Sequence, residues 1–209
     1  MEPTEENLRA WEQAHRPVER GETKLPAVVR QSFTDLNGKR VLHVGCGSGA
    51  ATLEFVELGA SVTGVDPSDG ALEAARARGP TVLWVHGEAD ALPPELQRSR
   101  FDLVYAGAQT TQALRDLDLF ASGIAAAVRT GGDVLLFDEH PAALCVDGLM
   151  HWRENYFAEG AQRLGQIVNA VTRAGLTVRA LEEYPAQSDG FRRHDARIPG
   201  TFLLYAQKG

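Results

Sequence analysis

The stretch that most constrains this chain is Arg40–Asp66, which reads RVLHVGCGSGAATLEFVELGASVTGVD. It opens on a short apolar run, Val41-Leu42-His43-Val44, with the length and β-branched content of a buried strand. A glycine-rich turn follows, Gly45-Cys46-Gly47-Ser48-Gly49. A helix is expected next, with Leu53, Val56 and Ala60 at i, i+3 and i+7 and Gly59 at its end. A second strand, Ser61 to Val65, carries Asp66 at its carboxyl end.

An acid about twenty residues past the first glycine of such a unit is the spacing of an adenosine-cofactor site. Glycines lacking Cβ let the backbone turn tightly and approach a ligand. The helix behind them aims unpaired N–H groups and its positive dipole end at the turn. Asp66 is placed to accept from both hydroxyls of a ribose. Two cofactor classes fit: Gly45, Gly47 and Ala50 satisfy a dinucleotide pattern, whereas Gly45, Gly47 and Gly49 satisfy the G-x-G-x-G pattern of S-adenosylmethionine (SAM) enzymes.

The remaining chain bounds the choice. Its 209 residues suit one full core, and 44% hydrophobic with 23% charged residues is ordinary for a globular protein. A net charge of -7 argues against nucleic acid as a partner. No run approaches a membrane span, the start lacks a signal-peptide core, and the two cysteines, Cys46 and Cys145, make no metal or disulfide framework. The expectation is a cytoplasmic protein with no membrane partner.

Residues 1–36 read as a helical segment set before the domain of 37–209, placed to act as a lid. Thr4 starts one helix with Leu8 and Trp11 on a face, and Pro26 starts another carrying Val28, Val29 and Phe33. Beyond Asp66, Ser68 caps a helix that Gly79 closes. Strands are expected over Thr81–His86, Phe101–Ala106 and Asp133–Phe137. Phe120, Ile124, Ala127 and Val128 mark a helix stopped by Gly131-Gly132, and Leu164, Ile167, Val168 and Val171 mark another closed by Gly175. This alternation implies a parallel sheet covered on both faces. Leu176–Glu183 and Thr201–Gln207, with no helix between them, should finish the sheet as an antiparallel pair.

With these elements in order, the chain resembles the class I SAM-dependent methyltransferases over nearly its whole length. VLHVGCGSG resembles their first motif, VTGVDPS the second, and GEADALP the loop after strand three. FDLVYAGA and RTGGDVLLFDEHP resemble the fourth and fifth strands, and the antiparallel ending, which dehydrogenases lack, completes the pattern. The closest likeness is to small bacterial enzymes with VLH in motif one and His-Pro after strand five. The resemblance implies an α/β, Rossmann-like sheet of seven strands in the order 3-2-1-4-5-7-6 with strand 7 antiparallel. It also implies SAM as cofactor and a small-molecule acceptor.

Carried onto this sequence, Gly45, Cys46, Gly47 and Gly49 would lie under the methionine part and Asp66 would hold the ribose. Pro67, Glu88 and Ala89 would border the adenine, and Ala106 and Gly107 the methyl-transfer region. Trp11 would cover the site from the N-terminal segment. His43 stands where most of the family carries Asp or Glu, and Glu88 where it carries Asp.

Methyl transfer is an in-line displacement governed by positioning, and needs a base only when the nucleophile is protonated. His140 and Glu139, at the ligand-binding edge after strand five, are the candidate bases. His140 with Pro141 reads equally well as a turn former. His151, Trp152 and Tyr156 are candidates for the acceptor pocket, as are Gln109, Thr110 and Thr111. Arg192, Arg193, His194 and Arg197 read either as an anion-binding loop or as a solvated one. No Asn/Asp-Pro-Pro-Tyr/Phe motif, covalent cysteine or acidic metal cluster is present in the sequence. An inactive SAM-binding sensor and an NAD(P)-dependent oxidoreductase are the competing functions, the second disfavoured by the lack of a Tyr-x-x-x-Lys pair.

Overall fold

The computed structural model describes residues 25–33, 35–107, 110–147, 150–158, 160–185 and 198–209. In chain order, a short helix α1 (Ala27–Gln31) precedes β1 (Arg40–Val44), α2 (Ala50–Glu57), β2 (Ser61–Asp66), α3 (Asp69–Arg78) and β3 (Leu83–His86). Then come β4 (Phe101–Gly107), α4 (Thr110–Ala113), α5 (Leu117–Ala127), β5 (Val128–Glu139), α6 (Leu164–Arg173), β6 (Leu176–Pro185) and β7 (Pro199–Lys208). The sheet order is β3-β2-β1-β4-β5-β7-β6. Strands β1 to β5 run parallel, and β7 is antiparallel to both β5 and β6. The expected topology is therefore present.

Alternation along the strands feeds two cores. Leu42, Val44, Val104, Ala106, Val134 and Leu136 pack on one face with Phe120 and Ile124 of α5 and Ile167 and Val171 of α6. Val41, Leu103, Tyr105 and Leu135 face the other way, against Val29 of α1 and Phe55 of α2. Residues 25–33, the described end of the expected lid, belong to this second core. Leu25 and Val29 are buried, the Leu25 N–H donates to Glu54 Oε1 (3.2 Å), and Arg30 pairs with Glu54 (3.1 Å). Trp11 lies outside the described residues.

Two local expectations are corrected. The buried face of α2 is Ala51, Thr52 and Phe55, with Leu53 and Val56 only half-buried. Phe55 has the larger apolar area to bury, and Thr52 meets His43 beneath the helix. The helix marked by Phe120 and Ile124 ends at Ala127, not at Gly131-Gly132, and Val128 already pairs with Phe101 in β5. The N–H groups of Ser99 and Arg100 donate to the last carbonyls of the helix, Ala126 and Ala127 (2.8 and 3.0 Å), in place of a further helical turn. Gly131, at φ +69, instead makes a turn inside the long strand.

Caps follow the sequence. Ser68 Oγ accepts from the Ala71 N–H (3.2 Å) at the start of α3, and Asp116 Oδ1 accepts from Asp118 and Leu119 (both 2.9 Å) at the start of α5. Parallel register aligns the carboxyl ends of β1, β2 and β4, with Val44 opposite both Val65 and Ala106. That alignment forms the edge on which the site is built.

Candidate active site

The glycine turn begins where β1 ends, and its geometry explains its composition. Gly45, Gly47 and Gly49 all have positive φ, at +72, +51 and +83. A Cβ on Gly49 would stand 2.6 Å from the Trp84 ring, and one on Gly45 would collide with Thr110 Oγ1. A Cβ on Gly47 would meet nothing within 4 Å, so the turn presents its backbone there to open space.

Asp66 is buried and closes the turn. Its Oδ2 accepts from the Gly47 N–H (2.8 Å) and its Oδ1 from the Ser68 N–H (2.9 Å). Each carboxylate oxygen retains a further lone pair for a ligand hydroxyl. Cys46 packs behind, with Leu72, Ala75 and Trp84. Burial, then the Asp66 charge, pushes its thiol up to about 12, so it stays a neutral packing group.

His43 is buried between α2 and the sheet. Its Nδ1 lies 2.8 Å from Thr52 Oγ1, and its ring stands 5.0 Å from that of Tyr105 and 6.1 Å from that of Phe55. Burial lowers its pKa to about 3, so it is neutral. This position on β1 thus holds an uncharged ring in contact with a helix hydroxyl.

Beyond Asp66, His86 Nε2 lies 2.9 Å from the Pro67 carbonyl, joining the tips of β2 and β3. Glu88 is exposed and 3.9 Å from Arg115 Nη2, while Ala89 is half-buried. Asp90, buried, accepts from the Arg115 and Asp116 N–H groups (2.9 and 3.2 Å), fastening this loop to the start of α5. Ala106 and Gly107 are buried at the tip of β4, and Gly107 O receives the Thr110 hydroxyl (2.5 Å).

Asp138, quoted above only as part of a strand end, organises the next layer. It is buried and accepts from both the N–H and the hydroxyl of Thr111 (2.8 Å each), which holds α4 against the tip of β5. Together with burial, the larger effect, its charge raises the Tyr105 hydroxyl well above the usual phenol range.

His140 and Glu139 follow Asp138, and neither lines the cavity beside α4. His140 is buried, its Nδ1 accepts from the Ala142 N–H (3.1 Å), and its Nε2 stands 2.9 Å from Glu183 Oε1. That contact is of ion-pair length but poorly aligned for a hydrogen bond. Burial holds this imidazole below its ordinary range, against the pull of Glu183.

Beside α4 lies a cavity of about 320 Å³. Its walls come from Thr111, Gln112 and Leu114 after β4, Pro141, Leu144 and Cys145 after β5, Glu154, Asn155 and Ala158, Gly160 to Gln162, and Ile167 of α6. Of the expected acceptor-pocket residues only Thr111 lines it. His151 is 3.6 Å from Asp147, Trp152 is 63% exposed, and Tyr156 Oη accepts from the Leu164 N–H (3.3 Å). Sequence reasoning missed Gln112, Glu154 and Gln162, whose isolated polar positions carry no periodic signal. Gln109 and the 192–197 cluster lie outside the described residues.

Residues 41–132 match a family model described as a methyltransferase domain. The sheet order and the antiparallel ending are those of the class I SAM-dependent methyltransferase fold. An uncharacterized methyltransferase of Synechocystis is 32% identical over 125 residues, covering 57% of this chain and 56% of that protein. A ubiquinone biosynthesis O-methyltransferase of Nitrobacter winogradskyi is 33% identical over 103 residues, covering 49% and 39%. The chain thus spans about half, or less, of the length of these curated relatives. A crystal structure of a SAM-dependent methyltransferase from Mesorhizobium loti shares the fold, with TM-score 0.71 and 22% identity over 87% of this chain and 96% of that one.

SAM is the cofactor on which the Mesorhizobium loti enzyme depends. The residues fit it on two observations: the open space above Gly47, and the buried Asp66 carboxylate with acceptor capacity to spare. Among the described residues no group of three metal-ligating side chains occurs, and no helix is long and apolar enough to cross a membrane.

Proposed function

We propose that this protein methylates a small molecule, on oxygen, in the cavity beside α4. The observation that carries the reading is that cavity's place: it opens at the carboxyl ends of β4 and β5, one short helix from the glycine turn. Its volume falls at the lower end of the range for small-molecule sites. Relatives named O-methyltransferases support the choice of oxygen.

In this reading Gly45, Cys46, Gly47 and Gly49 underlie the methionine part, and Asp66 orients the ribose. Pro67, Glu88 and Ala89 border the adenine, and Ala106 and Gly107 the reacting end. SAM supplies an already activated methyl on a sulfonium. The protein's task is then to bind and align the acceptor and to exclude water. Asp138 and Thr111 hold α4, one wall of the cavity, in place.

His140 serves as a strut between β5 and β6, since the lone pair a base would use is taken by the Ala142 N–H. Glu139 is likewise away from the cavity. Glu154 is the carboxylate that lines it and the one placed to take a proton from an acceptor hydroxyl.

Calorimetric titration with SAM, S-adenosylhomocysteine and NADH tests the cofactor site. Both sulfur ligands should bind and NADH should not. Asp66→Ala should weaken SAM binding by roughly 10- to 100-fold, the value of hydrogen bonds to a charged acceptor. An unchanged affinity, or binding of NADH alone, would refute the assignment.

A further inference from the structure

A second cavity, of about 350 Å³, adjoins the one beside α4 and shares Leu114, Ala158, Gly160, Ala161 and Gln162 with it as wall. Its remaining lining is Arg115, Leu117, Phe157, Arg163 and Gln166. The formally charged residues among those lining it are both arginines, and no carboxylate is among them.

The polar groups around this space are donors that remain unspent. Arg163, at the start of α6, holds its Cζ 5.5 Å from the centre of the Phe157 ring, and that ring is 71% exposed. Stacking orients the guanidinium and consumes none of its N–H groups. Among the described residues the Arg163 side chain has no hydrogen-bond or ion-pair partner. Gln166, in the first turn of α6, accepts the Arg163 backbone N–H on Oε1 (3.0 Å), which leaves Nε2, a donor, as its free end. Arg115 has a side chain 75% exposed, with Nη2 3.9 Å from Glu88 and 3.7 Å from Asp90, ion-pair contacts too long for hydrogen bonds. These two acids temper the Arg115 charge without taking its N–H groups. Gln162 spends its Nε2 on the Leu114 carbonyl (2.6 Å) and keeps its Oε1 sealed from solvent, so it offers the cavity no acceptor. The first turn of α6 carries no acid, and its positive end adds to the same field.

We infer that this second cavity binds an oxyanion, a carboxylate or a phosphate, through Arg163, Gln166 Nε2 and Arg115. Guanidinium and amide donors with no acceptor among them match an oxyanion and repel a cation. Two sources carry that chemistry. One is a free anion. The other is the acid end of an acceptor whose reacting end lies in the cavity beside α4, and this source rests on the function proposed above. The shared wall of Leu114, Ala158 and Ala161 is apolar, as a chain joining the two ends requires.

The test labels the full chain with nitrogen-15 and follows the arginine Nε–H signals during titration with phosphate, acetate, hexanoate, 1-hexanol and hexylammonium. The Arg163 signal, assigned by its loss in Arg163→Gln, should shift saturably with anions and stay in place with hexanol and hexylammonium. Arg163→Gln should weaken hexanoate about tenfold, the worth of a hydrogen bond to a charged group, and leave hexanol unchanged. Arg115→Gln should weaken hexanoate too, by less, because Glu88 and Asp90 already share its charge. Hexanoate binding about tenfold or more tighter than acetate and phosphate assigns the oxyanion to an acceptor's acid end. Phosphate or acetate binding as tightly as hexanoate assigns it to a free anion. Hexanol or hexylammonium binding as tightly as hexanoate would overturn the site, as would an unmoved Arg163 signal or unchanged hexanoate affinity in a folded Arg163→Gln. The unfolding midpoint of each variant shows whether it folds. Failure of the wild type to bind S-adenosylhomocysteine would remove the methyltransferase reading and the acceptor source with it, while the arginine shifts would still decide the oxyanion site.

Discussion

Replacing His43 with Gln should flatten the acid side of this protein's stability profile. The imidazole is 2% exposed, with Nδ1 against Thr52 Oγ1, and burial lowers its pKa from 6.5 to about 3. In the unfolded chain the same ring titrates at its ordinary value. The unfolded state therefore binds more protons than the native state at every pH between these two values. Stability from this residue is complete above about 6.5 and is withdrawn as pH falls toward about 3. Between pH 7 and pH 5 the withdrawal amounts to about 2 kcal/mol.

The window is well separated from that of the carboxylates. Burial works against the charge of Asp90, but the N–H groups of Arg115 and Asp116 hold its pKa below 3.8. Burial likewise opposes Asp102, which the Arg40 N–H and the Arg129 side chain hold below that value. Their contributions are lost only at more acid pH. His140, also held below its ordinary range by burial, is present in both proteins, so it cancels. Urea unfolding at pH 7, 6 and 5, followed by tryptophan fluorescence, measures the effect. Wild type should lose about 2 kcal/mol more than His43→Gln across that range. Parallel profiles would mean that His43 is not held neutral in the native state, and the reasoning from burial would fail. Only the slopes are compared, because Gln also gives up the ring contacts with Tyr105 and Phe55.

Two further outcomes follow from the site. Gly49→Ala combines a φ of +83 with a Cβ 2.6 Å from the Trp84 ring and 3.2 Å from Ala75 Cβ. It should cost about 2–4 kcal/mol, read as a lowered midpoint of thermal unfolding. His140→Ala should lower the unfolding midpoint while changing kcat less than tenfold. A drop in kcat of roughly 100-fold or more at unchanged stability would restore it as the base.

The cofactor half of this protein is legible in its sequence because it is built from neighbours. The strand, the glycine turn, the helix and Asp66 fall within one run of residues, and each has a local signature: apolar β-branching, positive φ, a cap, an acid at a strand tip. The sheet order follows from the same alternation and from two strands lacking a helix between them. Local signatures fail where a distant partner decides. Gly131-Gly132 looks like a helix stop, yet the helix has already been ended by residues 99–101 pairing with its last turn and first strand residue. His140 looks like a base on the ligand edge. Its surroundings are set by Glu183 on β6 and Phe202 on β7, two strands whose distance along the chain hides the contact.

The acceptor half is the extreme of that case. Its walls come from four separate segments, and none of its polar members carries a pattern of its own. Gln162 is the clearest example. In sequence it is a polar residue two positions before a helix, with nothing to mark it. In the structure the Leu114 carbonyl, 48 residues away, claims its amide nitrogen and leaves its oxygen buried without a partner. The carbonyl is there because Asp138 holds α4 through Thr111, and Asp138 is there because β5 ends beside β4. The wall of this cavity is therefore a consequence of sheet register passed through one buried carboxylate. In the function proposed above, variation in the residues that line the cavity would change the acceptor while the glycine turn and Asp66 kept the same cofactor.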